Sequence, residues 1–555
     1  MSKARDQLYS QESKQLAQKS FRAIGGVLLS RASGVIRTVI VNASFGAGLA
    51  MDSFNAAFRF PNGLRDLFAD GALSAAFMTV LVEAHEKGLE EERKLISIII
   101  GFFLFVTLVI ASLCAIFSYE FMMMISDEKF VHSGGIFLAS DLFKILAFYL
   151  PITMLNAVAM ASLGVLGKTF RATNGSLFLS VGMILGSLLF APLFHYLNTN
   201  TIFGLALGAM LGAFFQLIYQ FIPLVKLKLI CWPNFNFKDW VHYKPLKEVL
   251  FLMAPRALGQ GALTIALLIN TMFALQVGRG VLTYIVTAVT IIQVPIGLFG
   301  VATGFASLPV LTKCINDKEY PKFSSLLVES LETSMGLALL TTLAFALFIV
   351  PFYHFLFQHG KINFHDTIQN SIAVCIYSIG IVFSSGSKVL LNGFYTLNNT
   401  RQIVYNALVY LGISALLSST LAPRIGLLGL GLSYGVSTTI DFYMNYYFLK
   451  RIYKKRQYGE SPYEAGGKFF TMRVIVFSIS SYVIALLGVE TILKFWTFIE
   501  TFFQSPFTWV KSLSILVLGG PFYVILCLIL LYYFGSNNMK KMIQSLWNKI
   551  MRKRV

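Results

Sequence analysis

SRASGVIRTVIVNASFGAGLAMDSFNAAFRFPNGLRDLFADGALSAAF, residues 30–77, is the stretch whose reading decides the fold. Two apolar runs flank a Phe45-Gly46-Ala47-Gly48 turn, and each is long enough to form a helix across a bilayer core of about 30 Å. The first run is read as a span over 21–43 and the second as a span over 50–82, interrupted by Pro61, Gly63 and Gly71. Inside them sit Arg31, Arg37, Asp52, Arg59, Arg65, Asp66 and Asp70. Ionisable groups in a membrane span are expensive and usually face a cavity or a partner, so this stretch also holds the candidate site.

The rest of the chain agrees with a membrane reading. Of 555 residues, 56% are hydrophobic and only 13% are charged, too little polar surface for a soluble protein of this size. Twelve more spans are expected, at 95–118, 138–163, 172–194, 202–226, 247–275, 281–311, 325–353, 367–396, 402–420, 427–449, 472–494 and 512–534. The fold class is therefore an all-α membrane protein with about fourteen transmembrane helices.

The net charge of +19 belongs to the membrane surface rather than to nucleic acid, because the basic residues flank apolar spans. They collect at 1–20, at 227–246, at 450–471 and at 535–555. With an even number of spans these segments share one side, which the positive-inside rule makes cytoplasmic. Both termini are then cytoplasmic. Residues 1–20 are polar and lack a small-residue cleavage site, so no cleaved leader is expected.

A short internal repeat relates the two halves. Ser30-Arg31-Ala32-Ser33-Gly34 resembles Pro255-Arg256-Ala257-Leu258-Gly259, and Pro61-Asn62-Gly63-Leu64 resembles Pro295-Ile296-Gly297-Leu298. The copies lie six spans apart, which makes an N-lobe (21–226) and a C-lobe (247–449) of six helices each around a central cavity. Residues 472–534 add two C-terminal helices.

Arg31 and Arg37 lie roughly 15 and 24 Å into the first span, too deep to snorkel. With Arg65 and Arg256 they are candidate ligands for phosphate oxygens, since guanidinium binds phosphate bidentately and stays charged. The competing reading is a set of structural ion pairs, such as Arg37 with Asp52. Asp52, Arg59 and Lys388 complete the candidate set, the acids more as partners than as ligands. Asp66 and Asp70 are the only acidic pair that could serve a membrane enzyme acting on polyprenyl phosphates. No catalytic motif appears, and Cys114, Cys231, Cys314, Cys375 and Cys527 read as small core residues rather than disulfides or metal ligands.

The 30–77 stretch is similar to the first two helices of the MurJ (MviN) lipid II flippase family, within the multidrug/oligosaccharidyl-lipid/polysaccharide exporter superfamily. Further similarity lies in LINTMFA (268–274), LFQHGK (356–361), KVL…GFY (388–395) and GLLGLGLS (426–433). The resemblance implies a transporter rather than an enzyme, working by alternating access in the bacterial cytoplasmic (inner) membrane. The implied substrate is lipid II, undecaprenyl pyrophosphate carrying a disaccharide pentapeptide. Besides lipid II the implied partners are membrane lipids and cell-wall synthesis proteins. Family cavity arginines map onto Arg31, Arg37 and Arg65, and residues 472–534 onto a groove for the lipid tail. The alternative is an exporter of another lipid-linked glycan or of drugs.

The chain also departs from the family. Thr38 stands where an acidic residue often follows the second arginine. The eighth-helix cavity arginine aligns with Thr290, and Arg256 is the expected replacement. Family sodium positions align with Asn270, Ser414 and Ser418, none of them charged. No cofactor is expected, and coupling to the membrane potential or to a monovalent ion is.

Overall fold

The computed structural model describes residues 29–69, 72–397, 399–455, 467–495, 498–499, 501–502 and 508–534. Helix α1 (29–45) ends where Gly46 turns left-handed at φ 73°, a conformation open to glycine. Helices α2 (Leu49–Ala69) and α3 (Ala72–Lys87) follow, and α2 carries Pro61 in its interior. Gly88 at φ 116° turns the chain into α4 (Leu89–Ile116). Three glutamates in the first turn of α4 lie where the helix dipole favours negative charge.

The first unit continues through α5 (Gly135–Ala147), α6 (Tyr149–Val165), α7 (Phe170–Tyr196), α8 (Ile202–Lys226) and α9 (Lys244–Val277). Helices α7 and α8 meet through glycines. A Cβ on Gly182, Gly186, Gly204 or Gly208 would run into the facing backbone, so only glycine allows this approach. Next come α10 (Val281–Val301), α11 (Ala302–Asn316), α12 (Tyr320–Phe357), α13 (Phe364–Tyr377) and α14 (Ile379–Thr396). An Asn363–Asp366 capping box starts α13, and α13 and α14 bend by 41° at Ser378. The stretch Thr400–Lys455 is two helices, α15 (400–424) and α16 (427–455), joined where Ile425 and Gly426 leave helical geometry. Helices α17 (Gly467–Lys494) and α18 (Thr508–Phe534) close the described chain.

Among the described residues, nine helices are long and apolar enough to cross a membrane, or ten if the bent α13–α14 pair is one span. The fourteen spans expected from sequence are thus not all visible by length and apolarity. The physical reasons are local. Part of the first expected span lies outside the described residues, α2 carries four charged side chains, α15 and α16 are continuous in hydrogen bonding, and the apolar part of α18, Trp509–Ile525, is short.

The chain divides into two compact units, one of residues 1–286 with 407–424, the other of 287–406 with 425–555. In the first, Leu73, Phe77, Leu81, Ile99, Phe103, Met154, Val158 and Leu163 form a buried core between α3, α4 and α6. In the second, α12 is the axis. Glu332 accepts from Arg473 at 2.9 Å, which fixes α17 to α12. The Ser512 hydroxyl lies 2.9 Å from His354 Nδ1, and the Tyr523 hydroxyl donates to the Leu340 carbonyl, so α18 also rests on α12. Of the cysteines, Cys314 and Cys375 are buried as expected, whereas Cys231 is exposed and Cys527 lies among residues whose side chains are not described.

Candidate substrate site

Arg37 of α1 and Arg65 and Asp66 of α2 act on one tyrosine. Tyr149 opens α6 and is buried, and its hydroxyl accepts a hydrogen bond from Arg65. Arg37 lies near enough to act on both Tyr149 and Arg65. Arg65 in turn donates through Nε and Nη2 to Asp66 Oδ1, at 3.1 and 2.6 Å. Tyr149 thus lies in the field of both guanidiniums and of the Asp66 carboxylate that Arg65 holds. Helix α1 is positioned for this by hydroxyl contacts with α7, Ser30 to Ser176 at 2.7 Å and Ser33 to Ser180 at 3.3 Å. Phe58 packs edge-on against Tyr149 with ring centroids 5.2 Å apart, so one side of the group is dry.

Arg37 and Arg65 repel one another, and a nearby anion relieves that repulsion. Bidentate guanidinium donors favour phosphate or carboxylate as that anion. Arg65 and Asp66 keep 24% and 34% of their side-chain surface, and Arg37 is half-buried. Arg31 is also half-buried on α1.

The other candidates lie elsewhere. Asp52 is buried and accepts from Gly280 N at 2.5 Å, Thr283 N at 3.0 Å and Thr283 Oγ1 at 2.7 Å. It thereby caps the start of α10, where backbone N–H groups and the helix dipole favour a carboxylate. Those bonds, rather than an Arg37 pair, occupy its oxygens. Arg59 donates to Thr271 Oγ1 on α9 at 3.2 Å. Arg256 is exposed on α9 beside exposed Ala254, Pro255 and Leu258, and Thr290 is half-buried on α10. Lys388 is exposed on α14 and acts electrostatically on Asp441 of α16, which accepts from Ser387 at 3.1 Å.

The positions aligned with a sodium site are partly occupied by one another. Ser418 Oγ donates to Asn270 Oδ1 at 2.7 Å, and Ser414 is buried one turn away. Among the described residues no group of three or more His, Cys, Asp or Glu is placed to hold a metal. Asp70 lies outside the described residues, and Asp66 is held by Arg65.

Tyr149, Glu332, Arg473 and Asp441 escaped the sequence reading. The last three had a signal, since each is an ionisable residue inside an expected span. Tyr149 had none, because a tyrosine in an apolar run reads as packing.

The family profile of "Lipid II flippase MurJ" matches residues 41–519, which include Arg65, Asp66 and Tyr149. The chain belongs to that family. It is 30% identical to the probable lipid II flippase MurJ of Buchnera aphidicola subsp. Schizaphis graminum, over 79% of this chain and 83% of that one. It is 28% identical to lipid II flippase MurJ of Burkholderia cenocepacia, over 80% and 85% respectively. The fold is similar to a solved lipid II flippase MurJ in an inward closed conformation, with TM-score 0.65, 19% identity, and 84% and 98% of the two chains covered. It also resembles an inward-facing multidrug resistance transporter of the MATE family and MOP superfamily, at TM-score 0.57 and 16% identity over 77% and 96%. MurJ membership agrees with a multi-pass helical transporter fold.

Proposed function

We propose that this protein moves lipid II from the inner to the outer leaflet of the bacterial cytoplasmic membrane, without covalent change to the lipid. One observation supports the reading at the level of the site: Arg37 and Arg65 both act on Tyr149, and Arg65 also holds Asp66. A pyrophosphate offers the oxygens that guanidinium groups bind bidentately. The curated relatives named as lipid II flippases support the same substrate.

In this reading Arg31, Arg37 and Arg65 line a cationic cavity between the lobes 21–226 and 247–449, and the lobes rock in alternating access. Arg256 supplies the second lobe's charge in place of the arginine missing at Thr290, with Lys388 as a further contact. Asp52 and Arg59 border the cavity and hold α9 and α10 in place. Helices α17 and α18 shelter the lipid tail. The membrane potential drives the anion outward, and both termini remain in the cytoplasm, where cell-wall synthesis proteins can meet the basic tails.

The test is rescue. Expression of this chain in a bacterium depleted of its own lipid II flippase should restore growth and cell shape. Purified protein in liposomes should expose labelled lipid II on the opposite leaflet. Rescue by neither route overturns the assignment, and export of a drug instead would move the protein to the superfamily's other branch.

A further inference from the structure

The connection between α8 and α9, residues 227–243, does not leave the bundle. It is strapped along α4 by hydrogen bonds and rings. Asn234 N donates to the Ser97 carbonyl at 3.1 Å, Ser97 Oγ donates to the Trp232 carbonyl at 2.5 Å, and Arg93 Nε donates to the Lys228 carbonyl. Gly101 makes this approach possible, because a Cβ there would strike the Asn234 backbone. Phe105 of α4 then packs on Phe237 and Trp240, with centroids 5.4 and 5.5 Å apart, and Phe102 packs on Trp240 at 5.5 Å. The chain climbs back to Tyr243, whose ring lies 5.4 Å from Lys94 Nζ.

These anchor points lie inside a span. Helix α4 turns apolar just after Arg93 and Lys94, and its mean hydropathy of 2.8 is the highest among the candidate spans. Gly101 lies about 10 Å and Phe105 about 16 Å along the helix axis from Lys94. The strap therefore runs along α4 past the point where that helix turns apolar, into the stretch expected to enter the bilayer.

Its own chemistry suits that depth. A backbone that enters the bilayer must have its polar groups satisfied within the protein. The Asn234 carbonyl accepts from Trp240 Nε1 at 2.8 Å, Asn234 Oδ1 accepts from Asn236 N at 2.8 Å, and Asn234 Nδ2 donates to Asp239 at 2.7 Å. The apolar side chains point the other way. Trp232 is 93% exposed, and Phe235, Phe237 and Val241 are each at least half exposed. Lys226, Lys228, Lys238, Lys244 and Lys247 lie within and beside this stretch in sequence. Aromatic side chains with lysines around them fit the interface of an anionic leaflet, where each lysine near the surface contributes about 1 kcal/mol.

We infer that residues 230–241 form a membrane-inserted aromatic wedge that binds anionic phospholipid headgroups through these lysines. The segment is thus a lipid-binding anchor rather than a water-exposed linker. The inference is independent of the transported substrate.

Cys231, exposed and next to Trp232, provides the probe. The full chain with Cys114, Cys314, Cys375 and Cys527 changed to alanine would be spin-labelled at Cys231 and placed in vesicles with or without phosphatidylglycerol. The label should relax more with lipid-soluble oxygen than with an aqueous nickel chelate. A spin-labelled phosphatidylglycerol should be enriched over phosphatidylcholine near the protein. Lys228→Ala with Lys238→Ala should reduce that enrichment by about tenfold or more, and Trp232→Ser should make the label shallower. A label fully accessible to the nickel chelate overturns the wedge and leaves the face to a soluble partner. Equal enrichment in the lysine variant overturns headgroup binding.

Discussion

Two charged groups, one in each half, are built differently. In the first half, Arg37 and Arg65 both act on Tyr149, Arg65 holds Asp66, and Arg65 and Asp66 keep exposed surface. In the second half, two charged contacts join helices. Glu332 meets Arg473 on α17, and Asp441 meets Ser387 and Lys388 on and along α14. A matched pair holds helices together and needs nothing more. An unmatched one is stable only where solvent, or a ligand of opposite sign, completes it. The proposed anion site lies in the first half, while Glu332–Arg473 joins two helices of the second.

That contrast can be broken by mutation. The largest effect is expected at Arg37. Arg37→Ala should cut lipid II transport by about a hundredfold, as expected for truncating one partner of a desolvated charge contact. Its abundance in the membrane should stay near that of the wild type. Arg37→Lys should recover part of the activity, since lysine keeps the charge and loses the fork. A quantitative blot beside a rescue assay separates the two quantities. A fall in abundance alone would make Arg37 a structural residue like Glu332.

Glu332→Ala should show the reverse pattern. Removing one partner of a buried pair costs about 3–5 kcal/mol, and the partial exposure of Arg473 brings the expected loss to about 2 kcal/mol. Thermal unfolding in detergent should register it, while transport per folded molecule is unchanged. Glu332→Met with Arg473→Met should regain most of the stability. A transport defect that survives in the double variant would bring this pair into the transport cycle.

Two smaller effects sharpen the first-half assignment. Asp52→Ala removes the cap of α10 and should cost about 1–2 kcal/mol. Hydrogen exchange should rise at the Gly280 and Thr283 amides that it now accepts from. Arg59→Ala loses one side-chain hydrogen bond to Thr271 and should cost about 1 kcal/mol, with transport reduced by less than about tenfold. A loss as large as that of Arg37→Ala would place Arg59 among the anion ligands.

The helical membrane fold was legible because apolar spans of about twenty residues have few alternatives. Boundaries held where charges or glycines mark them, as at Ile202–Lys226. They slipped where helices continue past the apolar stretch, as α12 does from Tyr320 to Phe357. The concentration of charge in the first two spans pointed to the site, but not to its internal pairing. Arg37 and Asp52 are close in sequence order and opposite in charge, so they read as partners. The structure gives Asp52 the unpaired N–H groups of a helix more than two hundred residues away, a demand that no local pattern reveals. The pair Asn270–Ser418 was likewise named only as two aligned positions, and its hydrogen bond depends on tertiary packing.

The most direct measurement of the central claim is lipid binding with the pyrophosphate present or absent. Full-length protein in nanodiscs would be titrated with lipid II and with an analogue in which an uncharged linker replaces the pyrophosphate, for the wild type and for Arg37→Ala with Arg65→Ala. The account predicts that the wild type prefers lipid II by about a hundredfold or more, and that the double variant binds both lipids equally weakly. Equal preference for lipid II in wild type and double variant would contradict it, and would show that the guanidinium pair does not read the pyrophosphate.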